Sequence, residues 1–313
     1  MRIVFMGTPD FSVAALNSLT EAGHQILACV TQPDKPKGRG KAVLMTPVKM
    51  RALELGIPVY QPAKVREPEF LKVLTELNPE VIVVVAFGQI ISQDILDLPK
   101  YGCINIHASL LPKYRGAAPI QWALIDGETE TGITTMMMDA GLDTGDMLEK
   151  EAVPIDRQDT GESLHDKLAL AGGRLIVSTL EKLEAGALTR TKQPETGTCY
   201  AKKITKELGD IDWSMDAPAI ERLIRALNSW PSAYSSLKGK TIKIWKAQVL
   251  DGEHKGTPGQ ITEVLKDGLI VTCGSGALKL CELQLEGKKR MDAGAFLRGF
   301  SVEKGAVFER RIQ

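Results

Sequence analysis

Apolar positions along the chain follow two rhythms. Residues 2–7 and 26–31 are short apolar runs, and the segment between them, 11–21, repeats its apolar positions with helical spacing and stops near Gly23. That is a βαβ unit. Residues 81–86 form an unbroken, mainly β-branched run, as expected of a parallel strand covered on both faces. Further strands are predicted at 103–107 and 132–138, alternating with helical patterns at 45–55, 67–77 and 160–185. The pattern predicts an α/β fold with a doubly wound, mostly parallel sheet. Met136, Met137 and Met138 fall on a predicted strand and read as core, not as a metal-ligand set.

The rhythm changes after residue 187. Residues 187–206 mix Thr, Gln, Pro, Gly and Lys with little apolar periodicity, which predicts a linker lying across the surface. Beyond it, Asp216 can cap a helix with Pro218 in its first turn, running toward Ala226. Four β-rich stretches follow at 241–250, 259–265, 269–272 and 277–285, separated by Gly-containing turns, then a helix at 292–298. This spacing predicts a small antiparallel barrel. The expected organisation is a first domain at 1–189, a linker at 190–206 and a second domain at 207–313.

Composition agrees with two ordinary globular domains: the 313 residues are 43% hydrophobic and 25% charged. The net charge is zero but unevenly divided. Residues 1–199 carry 20 Lys+Arg against 25 Asp+Glu, and residues 200–313 carry 19 against 14, so the second part is mildly basic and suited to nucleic-acid contact. Cys29, Cys103, Cys199, Cys273 and Cys281 are scattered, odd in number and never spaced as CxxC, which speaks against a disulfide framework or a thiolate zinc site. The opening apolar run ends at Gly7, too short for a secretory segment, and no stretch has the length of a membrane span. A soluble, cytoplasmic, monomeric protein without a bound metal is expected.

The candidate chemistry sits in the stretch 101–119, YGCINIHASLLPKYRGAAP. Asn105 and His107 lie two apart on a predicted strand, so an amide and an imidazole project from one face at its end. Ligands of parallel sheets collect at the carboxyl ends of strands, which brings in Phe87, Gly88 and Gln89 after the neighbouring strand. The loop 138–146 adds three carboxylates among glycines. A dinucleotide reading fails on detail. Gly7-Thr8-Pro9-Asp10 lacks GxGxxG, and the second strand ends in Thr31-Gln32 without the acidic residue that would hold a ribose. Residues 34–41 place Lys35, Lys37, Arg39 and Lys41 among Pro and Gly, which argues against a regular element; this is either a solvated loop or one that follows a phosphate backbone.

Asn105-Ile106-His107-Ala108-Ser109-Leu110-Leu111-Pro112, Tyr114-Arg115-Gly116 and Gly141-Leu142-Asp143-Thr144-Gly145-Asp146 together resemble the active-site signature of folate-dependent formyltransferases. The likeness extends to Gly7-Thr8-Pro9-Asp10-Phe11, Thr31-Gln32-Pro33-Asp34, Gly38-Arg39-Gly40-Lys41, Ile211-Asp212-Trp213 and Trp230-Pro231. The resemblance implies a Rossmann-like catalytic domain and an OB-like second domain. It implies 10-formyltetrahydrofolate as co-substrate and initiator methionyl-tRNA as acceptor. It assigns catalysis to Asn105, His107 and Asp143, and folate contact to Phe87, Gly88, Gln89, Ile90, Ser109, Leu110, Leu111, Pro112 and Asp139. Contact with tRNA falls to Lys35, Lys37, Arg39 and Lys41, in a loop matching the family's acceptor-arm insertion, and to Lys202, Lys203 and Lys206.

Formyl transfer explains that grouping. An amine attacking a formamide-like carbon builds an oxyanion, loses a proton and requires a proton on the departing nitrogen. Asn105 can donate to the oxyanion, His107 can assist there and move protons, and Asp143 can orient His107 or a water and accept the amine's proton. Formyl transfer to a small amine would use the same three residues but leaves the basic loop and second domain without a role. A non-catalytic RNA-binding relic leaves the three residues without one.

Overall fold

The computed structural model of the chain describes residues 1–37, 42–252 and 254–311. The backbone separates into two compact units, one gathering Met1–Pro119, Glu130–Pro154 and His165–Ala201, the other Ile120–Thr129, Ile155–Leu164 and Lys202–Gln313.

In chain order the elements begin β1 (Arg2–Gly7), α1 (Phe11–Glu21), β2 (Gln25–Val30), β3 (Lys35–Lys37), β4 (Ala42–Leu44), α2 (Pro47–Glu54), β5 (Val59–Tyr60), α3 (Pro68–Leu77), β6 (Val81–Val85), α4 (Gln93–Leu96) and β7 (Cys103–His107). They continue β8 (Arg115–Gly116), α5 (Pro119–Asp126), β9 (Glu130–Met137), β10 (Met147–Pro154), α6 (Gly161–Glu184) and β11 (Tyr200–Ala201). The first unit is built on a seven-stranded sheet ordered β10-β9-β7-β6-β1-β2-β5. The pairs β1–β2, β1–β6, β2–β5 and β6–β7 are parallel, as the apolar runs predict. Strand β9 is antiparallel to β7, and β10 is antiparallel to β9. The loop between β9 and β10 is too short for the crossover that parallel pairing needs.

Local chemistry accounts for the elements. Asp10 caps α1 by accepting from Phe11 N, and the helix buries Phe11, Ser12, Ala15, Leu16 and Leu19 at helical spacing. The Thr46 side chain caps α2 with Pro47 at the start. All five residues of β6 are buried. Alternation sorts the sheet's two faces: Val4, Met6, Ile82, Val84 and Cys103 pack with Phe70 and Leu74 of α3 and Ile95 and Leu96 of α4. Ile106, of opposite parity to Cys103, lies close to Gly172 of α6. The basic stretch departs from expectation, since Lys35–Lys37 pairs antiparallel with Ala42–Leu44. A proline is tolerated in such a two-stranded ribbon because an edge position need not donate. Arg39 and Lys41 lie outside the described residues.

The segment read as a surface linker behaves differently. Thr191 pairs with Met147, Gln193 is 7% exposed, and β11 pairs in parallel with β8. Its bonds run through backbone, the Gln193 amide and the Cys199 sulfur, so apolar periodicity gives no sign of them.

The second unit adds α7 (Ala217–Ala226), β12 (Ala233–Leu237), β13 (Lys240–Leu250), β14 (Ile261–Leu265), β15 (Gly268–Thr272), β16 (Ala277–Leu285), β17 (Met291–Asp292) and α8 (Ala293–Gly299). Its antiparallel sheet runs β12-β13-β16-β15-β14, with β17 beside β16. Asp216 and Asp292 cap the two helices through Ala219 N and Ala295 N. Inside, Trp213 stacks on Phe308 with ring centroids 5.4 Å apart and donates to Ser235 Oγ at 3.0 Å. Strand β12, unread in the sequence, has the short polar composition AYSSL. Among the described residues, no helix is long and apolar enough to cross a membrane.

Burial pushes the thiols of Cys29, Cys103 and Cys273 up to about 12. At pH 8 their thiolate fraction is then roughly 1,000-fold below that of a free cysteine. Alkylation of the folded protein followed by peptide mass spectrometry should find these three modified far more slowly than in urea. Equal rates in both conditions would contradict the buried assignment.

Candidate active site

Strand β7 runs between β6 and β9, with Asn105 opposite Val84 on one side and Met136 on the other. Cys103, Asn105 and His107 alternate onto one face. The Asn105 carboxamide is half-buried and, among the described residues, has no hydrogen-bond partner. It is free to donate to a ligand. His107, the last residue of β7, is 6% exposed, and its Nε2 lies 2.8 Å from the Tyr114 carbonyl. A carbonyl only accepts, so Nε2 carries the hydrogen, and Nδ1 turns toward Asp143 Oδ2 at 3.8 Å. That separation is too long for a direct hydrogen bond. The ring is oriented by the Tyr114 carbonyl.

Asp143 is held by the same short segment. Its Oδ2 accepts from Gly116 N at 2.8 Å. Gly116 has φ +110°, and a Cβ there would stand 2.8 Å from the Ala201 carbonyl oxygen, so the position suits glycine alone. Residues 114–116 thus fix the imidazole through one carbonyl and the carboxylate through one N–H. The segment is itself clamped: Tyr114 N donates to Cys199 Sγ at 3.1 Å, and β8 pairs with β11. Tyr114 and Asp143 both hold left-handed backbone, with φ 58° and 82°, which non-glycine residues keep only when their surroundings enforce it.

The residues assigned to folate take several roles. Phe87 is buried, and its carbonyl accepts from Thr8 Oγ1 and Gln32 Nε2. Gly88 has φ +80°, and Gln89 is tied to Val65 N and the Pro62 carbonyl. Ile90 is 79% exposed, an apolar side chain open to contact. Ser109 is fully buried and donates to the Lys113 carbonyl at 2.6 Å, closing the turn through Pro112. Leu110 is half-buried, while Leu111 is core with Met136 and Met147. Asp139 turns onto its own loop, accepting from Thr144 Oγ1 at 2.7 and 2.9 Å and from Gly141 N at 3.0 Å.

A cavity of about 400 Å³ opens beside this loop, lined in part by Gln93, Leu96, Cys103, Met138, Asp139 and Arg190. Cys103 is two residues from Asn105 on the same face, about 7 Å along the strand. The cavity therefore lies one pleat repeat from the free carboxamide. Its lining overlaps the folate residues read from sequence only at Asp139.

Among the lysines assigned to tRNA, Lys35 is exposed in the first unit, and Lys202, Lys203 and Lys206 are exposed in the second. The sequence reading missed Tyr114, Gly116, Gln193 and Cys199 as supports of the site. The tripeptide Tyr114-Arg115-Gly116, already part of the quoted motif, pointed toward the first two without giving them a role.

Residues 1–180 match the family described as formyl transferase, and residues 203–301 match the formyl transferase C-terminal domain, so the chain belongs to the formyl transferase family. Within it, the chain is 56% identical over 308 residues to a methionyl-tRNA formyltransferase of Agathobacter rectalis, covering 98% of this chain and 99% of that protein. It is 55% identical over 305 residues to a methionyl-tRNA formyltransferase of Geobacter metallireducens, covering 97% of each. Among solved structures, an N-formyltransferase from Helicobacter canadensis, in complex with folinic acid and dTDP-3-aminofucose, shares the fold at a TM-score of 0.67 and 20% identity, covering 89% of this chain and 98% of that one.

Proposed function

We propose that this enzyme transfers the formyl group of 10-formyltetrahydrofolate to the amino group of initiator methionyl-tRNA. The observation that carries the chemistry is the grouping of a free Asn105 carboxamide, an Nε2-protonated His107 and the Asp143 carboxylate at one strand end. The acceptor follows from relatives that are more than half identical over nearly the whole chain.

Asn105 donates its amide N–H to the formyl oxygen as negative charge develops there. His107 turns Nδ1, the nitrogen without a hydrogen, toward Asp143, where it can take up a proton and pass it on, while Tyr114 keeps the other nitrogen occupied. Asp143 takes the proton of the attacking amine, directly or through a water, since Gly116 leaves its second oxygen available, and that proton passes by way of His107 to the folate nitrogen as its bond to the formyl carbon breaks and tetrahydrofolate leaves. We assign the folate ring to the cavity beside Cys103 and Met138. Its volume lies in the range of small-molecule sites, and its mixed lining suits a flat ring with polar edges. Ile90 and Leu110 would add apolar contact nearer the reacting carbon.

The second unit is read as an OB-like barrel that, with residues 190–206, engages tRNA through Lys202, Lys203 and Lys206. In the first unit Lys35, Lys37, Arg39 and Lys41 serve the acceptor arm. Residues 1–189 form the catalytic domain in this division and 207–313 the tRNA-binding one. The enzyme acts as a monomer in the cytoplasm. The test is an assay of the purified protein with 10-formyltetrahydrofolate and charged initiator tRNA beside small amines, including an amino sugar nucleotide. Formylation of the charged tRNA at least 100-fold faster than of any small amine is expected. A preference for a small amine would overturn the acceptor assignment and leave formyl transfer standing.

A further inference from the structure

Gln193 joins the two segments that build the site. Its Oε1 accepts from Arg115 Nε at 2.9 Å and Nη2 at 2.7 Å, and its Nε2 donates to the carbonyls of Asp143 and Gly145, both at 2.8 Å. A primary amide has two hydrogens and two lone pairs, so this side chain is fully used, and at 7% exposure water does not compete for it. Two residues before it the chain is anchored by the paired hydrogen bonds between Thr191 and Met147, at 2.8 and 2.9 Å. On one side it grips the residue between Tyr114 and Gly116. On the other it holds the peptide of Asp143, whose φ of 82° needs enforcement, and that of Gly145, where a Cβ would stand 1.8 Å from the Met137 carbonyl oxygen.

We propose that Gln193 is a positioning residue for formyl transfer. It fixes the Asp143 loop to the Tyr114–Gly116 segment so that carboxylate and imidazole keep their relative placement. The proposal rests on the roles given above to His107 and Asp143. Only a group of this length, with two donors and an acceptor face, spans the gap. Gln193→Asn falls short by a methylene, Gln193→Leu loses all four bonds, and Gln193→Glu keeps the Arg115 contact but turns a carboxylate toward two carbonyls.

The experiment measures single-turnover formylation at saturating substrates, folate and tRNA affinities, and thermal melting for the full-length Leu, Glu and Asn variants, alone and combined with Asp143→Ala. Misplacement of the reacting groups should slow the saturated step by roughly 10- to 100-fold while both affinities change by less than about threefold. Gln193→Glu should be impaired despite its intact Arg115 contact. In the Asp143→Ala background the further loss should shrink to less than about threefold, because the group being positioned is gone. A full multiplicative loss in that background, or near-normal rates in the single variants, overturns the proposal; if the Leu variant does not fold, the Glu variant decides by the same criteria. A normal rate for Asp143→Ala alone would instead reject the role of Asp143.

Discussion

Alanine at Asn105, His107 or Asp143 is expected to slow formyl transfer by about 100-fold or more at saturating substrates, with folate and tRNA affinities little changed. Each group meets charge or a proton that exists only as the reaction proceeds. Asn105 has no partner among the described residues, so its removal costs the folded protein little and the oxyanion much. His107 and Asp143 share residues 114–116 as their support. Their double variant should therefore lose less than the product of the single losses, since groups that act as a unit are not additive. Single-turnover formylation with both substrates saturating is the measurement. Rates near those of the unaltered enzyme in the His107 and Asp143 variants would reject the assigned roles.

The parts of this site that could be read in the sequence are those written in side chains with a period. A β-branched run gave β6, and alternation put Asn105 and His107 on one face at the end of the adjacent strand. Asp143 emerged from a glycine-rich loop only because the motif resembled a known one, as the same loop also holds Asp139 and Asp146. Asp139 accepts from Thr144 and Gly141 of its own loop and also lines the neighbouring cavity. What orients His107 was hidden because a main-chain carbonyl has no residue type. Gln193 was hidden for another reason: it acts across 78 positions to Arg115 and 50 to Asp143, from a stretch whose polar composition reads as linker. Strand β9 pairs antiparallel with β7 although its apolar run reads like those of the parallel strands. No local pattern marks that.

Neutralising Lys35, Lys37, Arg39 and Lys41 together should weaken tRNA binding and flatten its dependence on salt. Each phosphate contact adds about 0.7 to 0.9 to the slope of log affinity against log salt, so four contacts contribute up to about 3 to 4. Between 50 and 200 mM salt that corresponds to roughly 50- to 150-fold in affinity, which the fourfold variant would no longer lose because it would no longer have it. The cations are closely spaced, and Lys35–Lys37 forms one arm of a ribbon with Ala42–Leu44. The ribbon brings Lys35 and Leu44 opposite each other. An arginine can offer two parallel donors to a phosphate or base edge, and Arg39→Ala should exceed the other single changes in its effect on tRNA use. Folate affinity should stay unchanged throughout, which separates loss of tRNA contact from general damage to the catalytic unit. Affinity measured across a salt series for the unaltered enzyme and the fourfold variant decides the matter, and parallel slopes with equal affinities would make this stretch an ordinary solvated ribbon.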